Sequence, residues 1–471
     1  MIAGNFSRFV PYTGAGEPEG ANVFRPALIL TLTASLSQLA PAADAEAPSA
    51  ERGYKALTET AFIRAFWPRP GVDSAWKVWG LTEKPADYDR AFRERYGLHP
   101  APYPNGDLPM GLRKADLLVG KGVGIDCMVC HGGSILGKSY VGLGNTSLDI
   151  HSLFEELAKS SGAKVKLQYQ FSQVRGTSEA GAFAVQLLGM RNPDLSLAKE
   201  LRDLGLKDDS VEDVPAWWLL KKKKTMYHVG ATDAKSVRSI MQFMMHPLTT
   251  RAEFDAAEPA FRDVRAYLGT IEAPKYPFPV DAEKAKAGAG VFAEHCAKCH
   301  GTYGEKPTYP NKVVPLAEIG TDRKRFDNIG EAFGKAYNES WFAKEDTGNW
   351  FFPGRPVRVT AGYQAPPLDG IWATAPYFHN GSVPTLGGVL DSKARPKVFT
   401  RSFRTDEADY DKTNVGWKVT EVPPPDAKLP GIERRRVYDT TQPGRGNAGH
   451  TYGDDLTDAE RRQVIEYLKT L

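Results

Sequence analysis

All four cysteines of this 471-residue chain fall in two copies of one pattern, Cys-x-x-Cys-His, at 127–131 and 296–300. The two thiols of such a motif add to the vinyl groups of a haem, and the adjacent histidine turns under the ring to bind iron. The pattern therefore predicts two covalently bound haem c groups, attached at Cys127 and Cys130 and at Cys296 and Cys299. His131 and His300 are the proximal ligands. A zinc site shared by both pairs is disfavoured, because Cys130 and Cys296 are far beyond ribbon spacing. No cysteine remains for a disulfide.

Around these motifs the chain reads as mainly α, with two cytochrome c-like haem domains and long irregular loops. Residues 1–45 read as a signal peptide: an apolar run at 26–40 follows Arg25, and small residues at Ala40, Ala42, Ala43 and Ala45 suit a signal peptidase. Export to the periplasm follows, and it agrees with thioether formation outside the cytoplasm. The run is too short to favour a membrane anchor, and no other segment is apolar enough to span a bilayer, so an integral membrane protein is not expected. The proline-rich stretch at 275–279 separates an N-terminal haem domain, 46–275, from a C-terminal one, 276–471. Apolar periodicity predicts helices at 147–161 and 197–204. The formal net charge of +3 makes no case for nucleic acid.

The second motif resembles the start of a class I cytochrome c, with Gly288-x-x-x-Phe292-x-x-x-Cys296 leading into it. A final helix at 456–471, opened by the capping box Thr457-x-x-Glu460, would cross that lead-in at the glycine and interlock Tyr467. In class I cytochromes the loop before the last helix supplies the sixth ligand, and His450 sits there. No methionine lies beyond Met245. His450 or His379 therefore completes a bis-histidine iron with His300, and His379 otherwise serves as a haem-propionate partner. The first motif has Gly120, Gly122 and Gly124 ahead of it instead of the Gly-x-x-x-Phe lead-in. Its half offers several candidate sixth ligands, among them His151, His228, Met245 and His246, without a choice between them.

Residues 366–382, Pro366 through Phe378-His379-Asn380-Gly381-Ser382, resemble the His-Asn-Gly block of the dihaem cytochrome c peroxidase and MauG superfamily. With the ending Gly446-Asn447-Ala448-Gly449-His450 and the segment Asp213-Val214-Pro215-Ala216-Trp217-Trp218, the chain most resembles its rubber-oxygenase-like branch. The resemblance implies a reactive N-terminal haem and a C-terminal haem that stores or supplies electrons. It also implies a tryptophan between them, at Trp217 or Trp218, and a distal-pocket role for His228. Peroxide or dioxygen would be the small-molecule substrate and a small redox protein the electron donor, with the Lys221–Lys224 run a candidate docking point or a solvated face. The absent C-terminal methionine departs from the peroxidases, which leaves a non-catalytic electron-transfer cytochrome as the competing expectation.

Overall fold

In the computed structural model, residues 46–163, 171–178, 180–206, 211–344 and 361–471 are described. The signal-peptide reading at 1–45 lies outside them.

Two pairs of helices, each crossing at a glycine, frame the haem motifs. Helix α1 (Ala50–Glu59) packs on α2 (Arg251–Leu268), and α3 (Ala282–His295) packs on α4 (Asp458–Leu468). A β-carbon on Gly53 would meet the Asp263 carbonyl oxygen at 2.0 Å, and one on Gly288 would meet that of Gln463 at 1.9 Å. Only glycine permits approaches this close. Beside each crossing an aromatic pair interlocks, Tyr54 with Tyr267 and Phe292 with Tyr467, both with ring centres 5.2 Å apart. Complete capping boxes start α2 and α4, at Thr250/Glu253 and Thr457/Glu460.

The same partners recur in sequence. Arg262, Val264, Tyr267, Leu268 and Thr270 stand at the same spacings as Arg462, Val464, Tyr467, Leu468 and Thr470. The α1 and α2 pair is thus the counterpart of the lead-in and final helix of the second half. It is separated from its Cys-x-x-Cys-His by an insertion that carries the antiparallel strands Leu112–Asp116 and Lys121–Ile125. Gly122 and Gly124 belong to that second strand, where the Trp67 and Arg64 carbonyls approach at distances no side chain would allow.

The composition of elements is mixed, 38% helix and 13% strand, rather than mainly α. The strands are short local devices that fix loops. One hairpin, Gly132–Ile135 with Lys138–Val141, follows the first motif directly. A small sheet sets Val398–Thr400 between Thr420–Glu421 and Val437–Asp439. The helix expected at 197–204 does not form. Leu197 and Leu201 are 53% and 60% exposed, so they present no common buried stripe, and that segment is held by an Arg191–Leu197 bridge and the Arg202 N–H to the Gly189 carbonyl. The helix expected at 147–161 is present as Ile150–Ser160, capped by Asp149.

Residues 48–471 cluster as one compact unit. Within it, Phe254 and Phe261 of α2 share a buried cluster with Phe333, Tyr337, Trp341 and Phe342 from beyond residue 275.

Candidate haem cavity

The two Cys-x-x-Cys-His motifs open onto one continuous cavity of about 450 Å³. Cys127, Cys130 and His131 line one part of it and Cys296, Cys299 and His300 another. Each motif forms a single helical turn that points its cysteines and histidine the same way, Met128–His131 in the first and Ala297–His300 in the second. No cysteine is in a disulfide. Burial pushes the Cys127 thiol up to about 12 and that of Cys296 up to about 11.

His300 is oriented by its own ring. Its Nδ1 donates to the Pro366 carbonyl at 2.8 Å, which leaves Nε2 free to bind metal. That carbonyl is held by its neighbours: the Tyr309 hydroxyl donates to the Ala365 carbonyl at 2.6 Å, and the Leu368 N–H donates to the Tyr303 hydroxyl at 2.6 Å. Opposite stands His450, its ring centre 6.2 Å from that of His300. Two imidazoles binding one metal from opposite sides at about 2.0–2.1 Å each would have their centres about 6 Å apart, so the spacing fits an iron between them. The backbone N–H of His450 donates to the Ile319 carbonyl at 2.7 Å. Arg395 grips the same loop through the carbonyls of Asn447, Gly449 and His450 at 2.6, 2.7 and 3.2 Å.

His131 has different company. Its ring stacks on Trp217, centres 4.7 Å apart and planes at 24°. A short relay fixes the pair: the Gly142 N–H donates to the His131 carbonyl at 2.7 Å, and the Trp217 N–H donates to the Gly142 carbonyl at 2.8 Å. His131 Nδ1 is buried without an acceptor in hydrogen-bond geometry. Burial pushes the ring down to about 4, and the Pro215 carbonyl opposes that shift. Among the described residues no second histidine ring faces His131 as His450 faces His300. Ile63, Ile150, Phe154 and Phe171 give this end of the cavity an apolar wall.

The other expected residues divide. Trp218 is buried away from the cavity lining, its indole N–H donating to the Asp369 carbonyl at 2.8 Å, so of the two tryptophans only Trp217 reaches the cavity. His228 lines the cavity with Nε2 on the Asp213 carbonyl at 2.8 Å. His379 stacks on Tyr363 at 3.9 Å and faces His228 at 6.4 Å. Its neighbour Asn380 is fully buried and donates to the carbonyls of Gly444 and Gly446 at 3.2 and 2.9 Å, tying the His-Asn-Gly block to the loop that leads to His450. His151 pairs with Gln173 at 3.2 Å and does not line the cavity. Two of the four lysines turn inward: Lys222 pairs with Asp369 at 2.6 Å and Lys223 lines the cavity, where burial pushes it down to about 8.

The residues present fit haem. Burial pushes His450 down to about 4, His228 down to about 3 and His379 well below its usual value, so these imidazoles are neutral with lone pairs available. Arg325 pairs with Glu212 at 3.3 Å yet keeps buried Nε and Nη1 atoms without an acceptor. Thr321 Oγ1 and His379 Nε2 are also buried and unpaired, and all three residues line the cavity. Propionate carboxylates would satisfy these groups. Arg325, Thr321 and Tyr363 escaped the sequence reading because nothing local marks them; only their convergence on the cavity does.

Comparison with known proteins adds the decisive observation. Residues 362–400 match the family model described as RoxA-like, cytochrome c-like. The chain carries a cytochrome c-like domain. Such a domain implies covalently bound haem c, and the matched stretch contains Pro366, His379 and Arg395. The chain is also 28% identical over 249 residues to the uncharacterized protein y4iM of Sinorhizobium fredii, covering 44% of this chain and 53% of that one. It is 27% identical over 248 residues to the uncharacterized protein y4iJ of the same organism, covering 41% of this chain and 39% of the relative. The chain thus spans about half the length of the curated relatives it matches, or less. No helix among the described residues is long and apolar enough to cross a membrane.

Proposed function

We propose that this chain is an exported dihaem c-type cytochrome that acts as an oxidoreductase on peroxide or dioxygen. His131 would hold the haem at the reactive centre, and His300 with His450 the haem at the electron-transfer centre. When bound, the haems would supply redox-active iron. The observation that carries the reading is the asymmetry of the two proximal histidines within one cavity. His300 has an imidazole opposite it at a bis-ligand spacing, whereas among the described residues His131 has none and lies at the end of the cavity with the apolar wall.

The chain's own residues supply orientation and insulation. Pro366 fixes the His300 tautomer, and a small turn of the His131 ring would give its Nδ1 the equivalent bond to Pro215. Arg395 and Asn380 hold the His450 loop. Trp217, stacked on His131 in the cavity that both motifs line, would shorten the electron path between the sites. Ile63, Ile150, Phe154 and Phe171 exclude water from the reactive side. Arg325, Thr321 and His379 bind propionates.

Low-temperature electron paramagnetic resonance of the oxidised protein, before and after hydrogen peroxide, tests the assignment. The expected spectrum has one low-spin ferric signal and one high-spin signal that responds to peroxide. Two low-spin signals indifferent to peroxide would establish the electron-transfer cytochrome instead.

A further inference from the structure

A second pocket, of about 20 Å³, shares only Pro376 with the haem cavity. Four arginines line it, Arg175, Arg401, Arg435 and Arg436, and no carboxylate does. Three of their guanidiniums surround one ring: the central carbons of Arg175, Arg401 and Arg436 lie 5.0, 4.6 and 5.3 Å from the centre of Phe403.

Their partners do not balance this charge. Arg435 is neutralised by Asp149 at 3.1 Å, and Arg436 comes no nearer than 4.0 Å to Glu433. Arg175 is 5% exposed, and its donors go to the backbone carbonyls of Ser147 and Glu94 at 2.9 and 2.6 Å. Arg401 donates from Nη2 to the Thr146 carbonyl, while its Nη1 is buried with no acceptor. Among the described residues neither Arg175 nor Arg401 makes an ion pair. Burial and the neighbouring Arg175 push Arg401 down to about 9 against the opposing pull of Asp409, and burial pushes Arg175 down to about 10 against that of Asp149. A guanidinium nitrogen buried without an acceptor is costly, and a bound anion would satisfy it. A site for one water-sized particle needs roughly 10–15 Å³, so this pocket has room for one small ion.

We propose that this pocket binds a single halide ion, chloride under ordinary conditions, between the guanidiniums of Arg401 and Arg175. Held there, the ion ties the segment around Val174–Thr177 to the sheet strand Val398–Thr400 and the turn after it. It contributes to the stability of the folded chain and takes no part in the haem chemistry.

Two measurements on the haem-loaded full chain decide this. Crystals soaked in bromide should give an anomalous peak beside Arg401 Nη1. In solution, chloride should raise the melting temperature of halide-depleted protein at constant ionic strength held with gluconate. R401Q should lose both effects while its haem absorbance is unchanged. Absence of a peak in the pocket overturns the proposal, as does a melting temperature indifferent to chloride. A bromide peak without a chloride effect means an adventitious ion only, and stabilisation by phosphate in preference to chloride refutes the size assignment. Both wild-type readouts stand if R401Q fails to fold.

Discussion

His131 and His300 end identical motifs, so whatever distinguishes the two sites comes from residues far away in sequence. For His300 the distinguishing residue is His450, whose loop Arg395 clamps through three of its carbonyls. Replacing the imidazole should remove a ligand and leave attachment intact. H450A is expected to keep its full haem content by pyridine haemochrome assay and to exchange its low-spin ferric signal for a high-spin one. R395A tests whether the loop needs its clamp. Hydrogen bonds to a charged group are worth about 1.5–3 kcal/mol, so losing this clamp should lower stability by about 2 kcal/mol and give a mixture of low- and high-spin iron at that site. An unaltered low-spin signal in H450A would show that another residue binds the iron on His300.

Among the secondary elements, both helix crossings depend on a glycine, and the consequences of adding one methyl group have opposite signs at neighbouring positions. Gly288 faces the Gln463 carbonyl at a distance that admits no β-carbon, whereas Gly290 on the same helix has nothing within 4 Å. G288A should destabilise by about 1–3 kcal/mol through overpacking. G290A should be neutral or stabilise by up to about 1 kcal/mol, the helix-propensity difference between glycine and alanine. G53A should behave like G288A; thermal unfolding of the three variants measures this. Only one of these crossings could be read from the sequence. Gly288 and Phe292 stand directly before Cys296, and the final helix announces itself by its capping box. Gly53 and Leu57 precede Cys127 by a whole inserted hairpin, so the lead-in is sought in the wrong place, at Gly120 to Gly124. The matching helix hides for a related reason. Thr250 stands 13 residues before Asp263 and Thr457 six before Gln463, a difference of two helical turns that defeats alignment from the capping box. The two Cys-x-x-Cys-His motifs were legible because covalent chemistry fixes their spacing. Arg325, Thr321 and the Trp217 stack were not, because cavity walls are assembled from distant segments.

For the whole molecule, the large cavity sets what the chain can be without haem. Both attachment motifs line the same space, and the buried clusters around it draw on residues from both sides of the 275–279 linker. Leaving a cavity of about 450 Å³ unfilled at ~24 cal/mol per Å³ would cost on the order of 10 kcal/mol, comparable to the ~5–15 kcal/mol total stability of a typical domain. The unpaired Arg325, Thr321 and His379 atoms add a desolvation penalty in the same direction. Partial collapse and entry of water reduce this sum but also destroy the packing that makes unfolding cooperative. The variant C127A/C130A/C296A/C299A is therefore expected to give no cooperative transition by calorimetry and to lose its near-ultraviolet circular dichroism. The variant C296A/C299A separates a shared core from two independent ones. With a shared cavity, its remaining haem should sit in a chain that melts in one transition at a markedly lower temperature than the wild type. Two self-sufficient halves would instead leave the N-terminal transition where it was, and that result would refute the single-cavity account.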